Sequence, residues 1–246
     1  MTNPPPRQSR RRGTSASLGP TGLVYLAAFL LATLFPGLAS AELAADSRAC
    51  LDAKRSEAVD PCERALARYP GDLAAERKLA WAYLATYHES EAVMMFRGIA
   101  ERHPEDFQSQ YDLAGVLLGL RAFHEAGPPV RQVLKLRPDD LKSLRLAGMF
   151  YELTGKQAEA FDIHLRLALA GVSVGMFDLA EDFALGRGTD TDQRRAQEWY
   201  LEAARSGHVL AMSTLAAKLE RGAFGGQPDR PGAAFWRDKA KAARGR

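Results

Sequence analysis

Pro70, Pro104 and Pro138 stand 34 residues apart, and so do Ala58, Ala92, Ala126 and Ala160. A fixed period of this length means that one supersecondary unit is stacked on copies of itself. Other columns keep the same step: Cys62, Phe96, Val130 and His164 in one, Tyr83, Leu117 and Tyr151 in another. Leu79-Ala80, Leu113-Ala114 and Ala147-Gly148 make a third. Any fold for this chain must give the members of a column equivalent places.

Each unit reads as two amphipathic helices. "LAAERKLAWAYLATY" and "ESEAVMMFRGIAERHPED" both space apolar residues by three and four, the helical period. Ala80 and Ala92 are small enough to let the two helices approach closely. A proline ends the second helix, and Asp or Gly-Asp opens the next turn. After Val174 the step lengthens. Leu179 to Leu215 and Gly186 to Gly222 span 36 residues, while Trp199 to Trp236 and Ala203 to Ala240 span 37.

The first set of units, over roughly residues 45–171, resembles the tetratricopeptide repeat. The second set is similar to the Sel1-like repeat, on Leu179-Ala180, Gly186, Gly188, Asp192, Arg195-Ala196, Trp199-Tyr200, Ala203-Ala204 and Gly207. Thr189 and Glu202 depart from that pattern, and the last copy has a degenerate turn, "RGAFGGQPDRPG". The resemblance implies an all-α fold, a right-handed superhelical α-solenoid of helix-turn-helix repeats. The expected division is residues 42–172 for the tetratricopeptide-like units and 173–246 for the Sel1-like units.

The segment "LGRGTDTDQRR" invites a phosphate-loop or calcium-loop reading, and both fail on chemistry. A phosphate loop needs a lysine after its last glycine. A calcium loop needs oxygen ligands at alternating positions and a closing glutamate. The expectation is structural: Gly186 and Gly188 turn the chain with positive φ and Asp192 caps the next helix. The five histidines fall in different units; His164 is expected to be a core substitute for Phe96, and His88 and His124 to be solvated in turns. The acids are expected on exposed helix faces. No catalytic residue, cofactor or metal site is expected. The only asparagine is Asn3, so the asparagine clamp by which some tetratricopeptide domains hold a C-terminal carboxylate is absent after residue 41.

Residues 1–41 run from a basic stretch through "LVYLAAFLLATLF" to Ala39-Ser40-Ala41, the order of a secretory signal peptide cleaved before Glu42. The expected location is the periplasm; the alternative is an uncleaved segment anchoring the protein in the inner membrane, its only route to a membrane. This stretch holds four of the 33 basic residues and no acid, so the remainder carries 29 basic against 30 acidic residues. A near-neutral mature chain gives no reason to expect nucleic acid. Cys50 and Cys62, the only cysteines, are twelve apart. In one straight helix they would lie about 18 Å apart, too far to bond. Across a hairpin turning near Lys54–Ser56 they could join, as an even count in an exported chain favours. The alternative is two reduced, buried thiols.

The resemblance also assigns a concave face to the first helix of each unit. Its positions here are Arg77, Trp81 and Leu84, then Gln108, Tyr111 and Leu118, then Lys142, Arg145, Met149 and Glu152. Such a surface suits a protein or peptide segment with acidic and apolar groups. The function expected is a non-catalytic interaction scaffold in an envelope assembly or secretion complex. The alternative is a binder of cell-wall or polysaccharide material that regulates an envelope enzyme.

Overall fold

The computed structural model describes residues 45–245, and every regular element among them is helical. The expected signal segment, residues 1–41, lies outside the described residues. The chain divides into two compact units between Ala85 and Thr86. The change of repeat type expected at residue 173 therefore falls inside the second unit.

The first unit holds helix α1 (residues 45–52), a 3-10 turn (Arg55–Glu57), α2 (Val59–Arg68) and α3 (Leu73–Ala85). The turn falls where the cysteine argument requires it. It folds α2 back on α1, so that Cys50 and Cys62, both fully buried, approach to a Cα–Cα distance of 4.5 Å and form a disulfide. Asp72 opens α3, its Oδ1 accepting from the amides of Ala74 and Ala75 at 3.1 and 3.2 Å. The Lys78 ammonium donates to the Leu51 carbonyl at 2.9 Å, satisfying one of the unpaired carbonyls at the end of α1.

The second unit runs through α4 (Glu89–Arg102), α5 (Phe107–Gly119), α6 (Phe123–Leu136), α7 (Leu141–Leu153), α8 (Gln157–Leu169), α9 (Ser173–Leu185), α10 (Gln193–Arg205), α11 (Val209–Arg221) and α12 (Arg230–Arg244). Each helix packs on the next in sequence, and α5 also touches α7. The alanine column accounts for this stacking. Ala92, Ala126, Ala160, Ala196 and Ala233 are all buried, as are the paired positions Leu113-Ala114, Ala147-Gly148, Leu179-Ala180 and Leu215-Ala216. A methyl or a hydrogen at these sites lets two helix backbones close to about 8–10 Å.

Aspartates set where helices begin. Asp106 accepts from the Ser109 amide at 2.8 Å, Asp140 from the amides of Lys142 and Ser143 at 3.0 and 3.1 Å, and Asp192 from the Arg195 amide at 2.9 Å. A second device ties one repeat to the next. The side chains of Gln132 and Arg166, one period apart, donate to the carbonyls of Pro104 and Pro138 at 3.0 and 2.5 Å. The turn of "LGRGTDTDQRR" is structural as expected. Gly186 ends α9 with φ 71°, its amide donating to the Asp182 carbonyl at 2.8 Å. Gly188, with φ 68°, lies so close to α8 that a Cβ there would sit 2.2 Å from the Gln157 carbonyl oxygen.

Three outcomes test this account. Gly188→Ala adds both left-handed strain and a backbone clash, and is expected to cost about 2–5 kcal/mol in denaturant unfolding. Gly207→Ala shares the positive φ, 88°, but meets open space, so only about 1–2 kcal/mol is expected. Reduction of Cys50–Cys62 is expected to remove about 3 kcal/mol on the chain-entropy account of a short loop. Calorimetry with and without reductant measures it, and unchanged melting after verified reduction would contradict the account.

Candidate functional site

Helices α5 and α7 carry the second unit's share of the expected binding face, and lie against one another. Gln108 is exposed, its amide donating to Asp112 Oδ1 at 2.7 Å. Tyr111 is half-buried and stacks on Phe107 with ring centroids 5.8 Å apart. On α7, Lys142, Arg145, Met149 and Glu152 are all exposed. Lys142 and Arg145 sit one turn apart, and neither side chain has an acidic partner among the described residues. Leu118 is different. At 4% exposure it belongs to the core, because its position on α5 turns inward between neighbouring helices. In the first unit Arg77, Trp81 and Leu84 are each half-buried, and the Arg55 guanidinium lies 4.9 Å over the Trp81 ring.

A more concentrated group of polar side chains surrounds His164 on α8. The ring is 2% exposed. Its Nδ1 pairs at 2.7 Å with Oδ2 of Asp182 on α9, which is itself 3% exposed. Its Nε2 faces Glu152 Oε1 of α7 at 3.5 Å, and Asp178 of α9 completes the group. Burial disfavours a charged ring, but the carboxylates of Asp182, Asp178 and Glu152 outweigh it, and the His164 pKa lies above its ordinary value. Burial pushes Asp178 up to about 6, with Glu152, Asp182 and Glu181 adding to it against the pull of His164.

This group corrects two sequence expectations. His164 is buried in the Phe96 column as expected, yet it is no apolar substitute, because its ring is held by carboxylates. The acids are not all on exposed faces either, since Asp112 and Asp182 are buried. Gln108 and His164 make that burial tolerable by supplying hydrogen bonds. The available signal was the spacing of Asp178 and Asp182, one turn apart and facing the helix that bears the histidine.

Three of the remaining histidines have local placements. His88 precedes α4 and its Nδ1 lies 3.0 Å from Thr86 Oγ1. His124 lies in the first turn of α6 rather than in the loop before it. His208 caps α11, its Nδ1 accepting from the Ala211 amide at 3.2 Å. Tyr200 is fully buried, and its hydroxyl donates to Glu181. Burial, then the bond to Glu181, raises the Tyr200 pKa, so the phenol stays neutral.

Known structures share this architecture. A Sel1 repeat protein from Oxalobacter formigenes superposes with a TM-score of 0.51 at 20% identity, over 74% of this chain and 75% of that one. MamA superposes with a TM-score of 0.54 at 13% identity, over 68% of this chain and 94% of that one. A MamA double mutant gives 0.58 at 17% identity, over 70% and 96%. No family model matches the chain, and no curated protein does. At such identities the likeness is one of fold, and it agrees with the repeat columns. The protein is an α-solenoid of tetratricopeptide-like and Sel1-like helical repeats.

The cap at His208 makes one stretch of this fold sensitive to acid. Burial holds the His208 pKa below its ordinary 6.5. The unfolded chain therefore takes the proton first, so this group's contribution is whole above about pH 6.5 and is lost as pH falls below it. A protonated Nδ1 cannot accept from the Ala211 amide, and a cation opposes the helix dipole there. Amide exchange at Ala211, corrected for intrinsic rate, is expected to lose protection between pH 7.5 and 5. His208→Asn, a neutral cap, is expected to flatten that profile. Equal pH dependence in both proteins would contradict it.

Proposed function

We propose that this protein is an exported, non-catalytic scaffold that binds a protein or peptide segment on the face formed by α5 and α7. The observation that carries the reading is the pair of exposed cations on α7, Lys142 and Arg145, beside an adjacent helix that presents Tyr111. Two like charges one turn apart repel, and among the described residues neither forms an ion pair with an acid. An acidic group on a partner would offset them, while Tyr111 and Met149 offer apolar area. Arg77, Trp81 and Leu84 hold the same repeat positions in the first unit and extend the reading to it.

Export is supported by the disulfide, which persists in oxidising compartments, and by the signal-like order of residues 1–41. Among the described residues no helix is long and apolar enough to cross a membrane. We place the scaffold in the bacterial periplasm, in an envelope assembly or secretion complex, and assign the concave side of the solenoid as its binding surface.

Alanine at both Tyr111 and Arg145 tests the site. Neither residue belongs to the alanine, leucine or proline columns, so helical circular dichroism and melting temperature are expected to hold. Binding to partners captured from envelope extracts is expected to weaken by about 2 kcal/mol or more, roughly thirtyfold, and wild-type binding to fall with added salt. Equal binding by the double variant and the wild type would remove the site from this face.

A further inference from the structure

The geometry around His164 points to a site for a divalent transition-metal ion of the zinc class, held by Glu152, His164 and Asp178. Each residue offers one donor atom, and the three atoms lie within 4.8 Å of one another. Ligand atoms bonded at about 2.0–2.2 Å to one tetrahedral ion stand about 3.3–3.6 Å apart. The 3.5 Å between His164 Nε2 and Glu152 Oε1 already falls in that range.

The buried partner of the histidine is the second observation. A metal-bound imidazole characteristically gives its other ring N–H to a carboxylate, which sets the tautomer and strengthens the ligand. Asp182 occupies that place, 2.7 Å from Nδ1, and is almost wholly buried. With the Nδ1 proton directed at Asp182, Nε2 turns toward two carboxylates. A bare lone pair there would be repelled, so the arrangement needs a proton or a cation between them. Three carboxylates against one neutral imidazole leave an excess of negative charge that a divalent ion offsets further than a single proton does.

Position adds to the case. Gly148 stands in a column that elsewhere holds alanine, and a Cβ there would come within 3.7 Å of the His164 ring and 3.3 Å of Ile163. The ring therefore lies in van der Waals reach of that position. Glu152, with 48% of its side chain exposed, leaves an opening through which an ion enters and water completes its coordination. One imidazole among carboxylates suits zinc and its first-row neighbours, where calcium or magnesium would take an all-oxygen set. The ion would pin α7, α8 and α9 together. Glu152 also belongs to the expected binding face on α7, but the inference does not rest on the partner-binding reading.

The test uses the full-length chain stripped with a chelator and titrated with Zn2+ alone, followed by calorimetry and by the visible spectrum of the Co2+ form. One ion per chain is expected, with a rise in melting temperature. Glu152→Gln and Asp178→Asn are each expected to weaken Zn2+ binding by about tenfold or more with helical content unchanged. His164→Phe restores the residue type of Phe96 in the column and is expected to abolish binding. If that variant does not fold, the two carboxamide variants decide. Absence of saturable binding at one ion per chain, carboxamide variants that bind like wild type, or preferential saturation by Ca2+ would each overturn the site.

Discussion

The close approach of helices at the small-residue columns is the contact on which everything else rests. A single helix hairpin cannot bury its apolar face, so each must find a neighbour. Ala92, Ala126, Ala160, Ala196 and Ala233 are buried because a larger side chain there would hold two backbones apart. Once backbones are close, shorter-range devices work. Gln132 and Arg166 reach the carbonyls of the preceding repeat, and Gln110 reaches the Ala100 carbonyl across α4 and α5 at 2.9 Å. None of these bonds would form at a wider helix spacing. Dispersion and burial supply the attraction, and the hydrogen bonds select one stacking among several.

Much of this was legible in the sequence because it depends on side-chain size and backbone conformation, which residue types report directly. The period, the aspartate caps and the positive-φ glycines are local properties. Even the disulfide followed from spacing, once a turn near Lys54–Ser56 was placed between the two cysteines. Leu118 was misplaced for a related reason. Its repeat position is one the family turns inward to a partner, but which side of α5 is covered depends on the neighbouring helices, and a single unit does not report that. The His164 group was missed because its four members come from three helices, and a column of Phe96, Val130 and His164 reads as apolar until the carboxylates opposite are known.

The polar group sits beside the point where the repeat period lengthens, and two glycines there make close contacts. The third position of the first helix is Ser109 on α5, Ser143 on α7 and Ala211 on α11, but Gly175 on α9. A Cβ at Gly175 would stand 2.3 Å from the Cβ of Leu167. Gly188 brings the following turn against the start of α8 in the same way. Two glycines thus draw α9 onto α8 more closely than alanine or serine would permit.

That closeness explains why charge is tolerated inside. Glu181 and Asp182 are consecutive on α9, about 100° apart around the axis, so they face different neighbours. Asp182 meets His164 on α8, and Glu181 meets the Tyr200 hydroxyl on α10. His164 and Tyr200 hold the same repeat position, one in the last tetratricopeptide-like unit and one in the first Sel1-like unit. Apolar contact alone lets a helix slide by a fraction of a turn with little loss. A hydrogen bond from a buried donor does not, because a shift strands a desolvated carboxylate. With one such bond toward each side, α9 holds the 34-residue repeats and the longer repeats in a single register. The junction therefore stays rigid although the period that built each half changes across it.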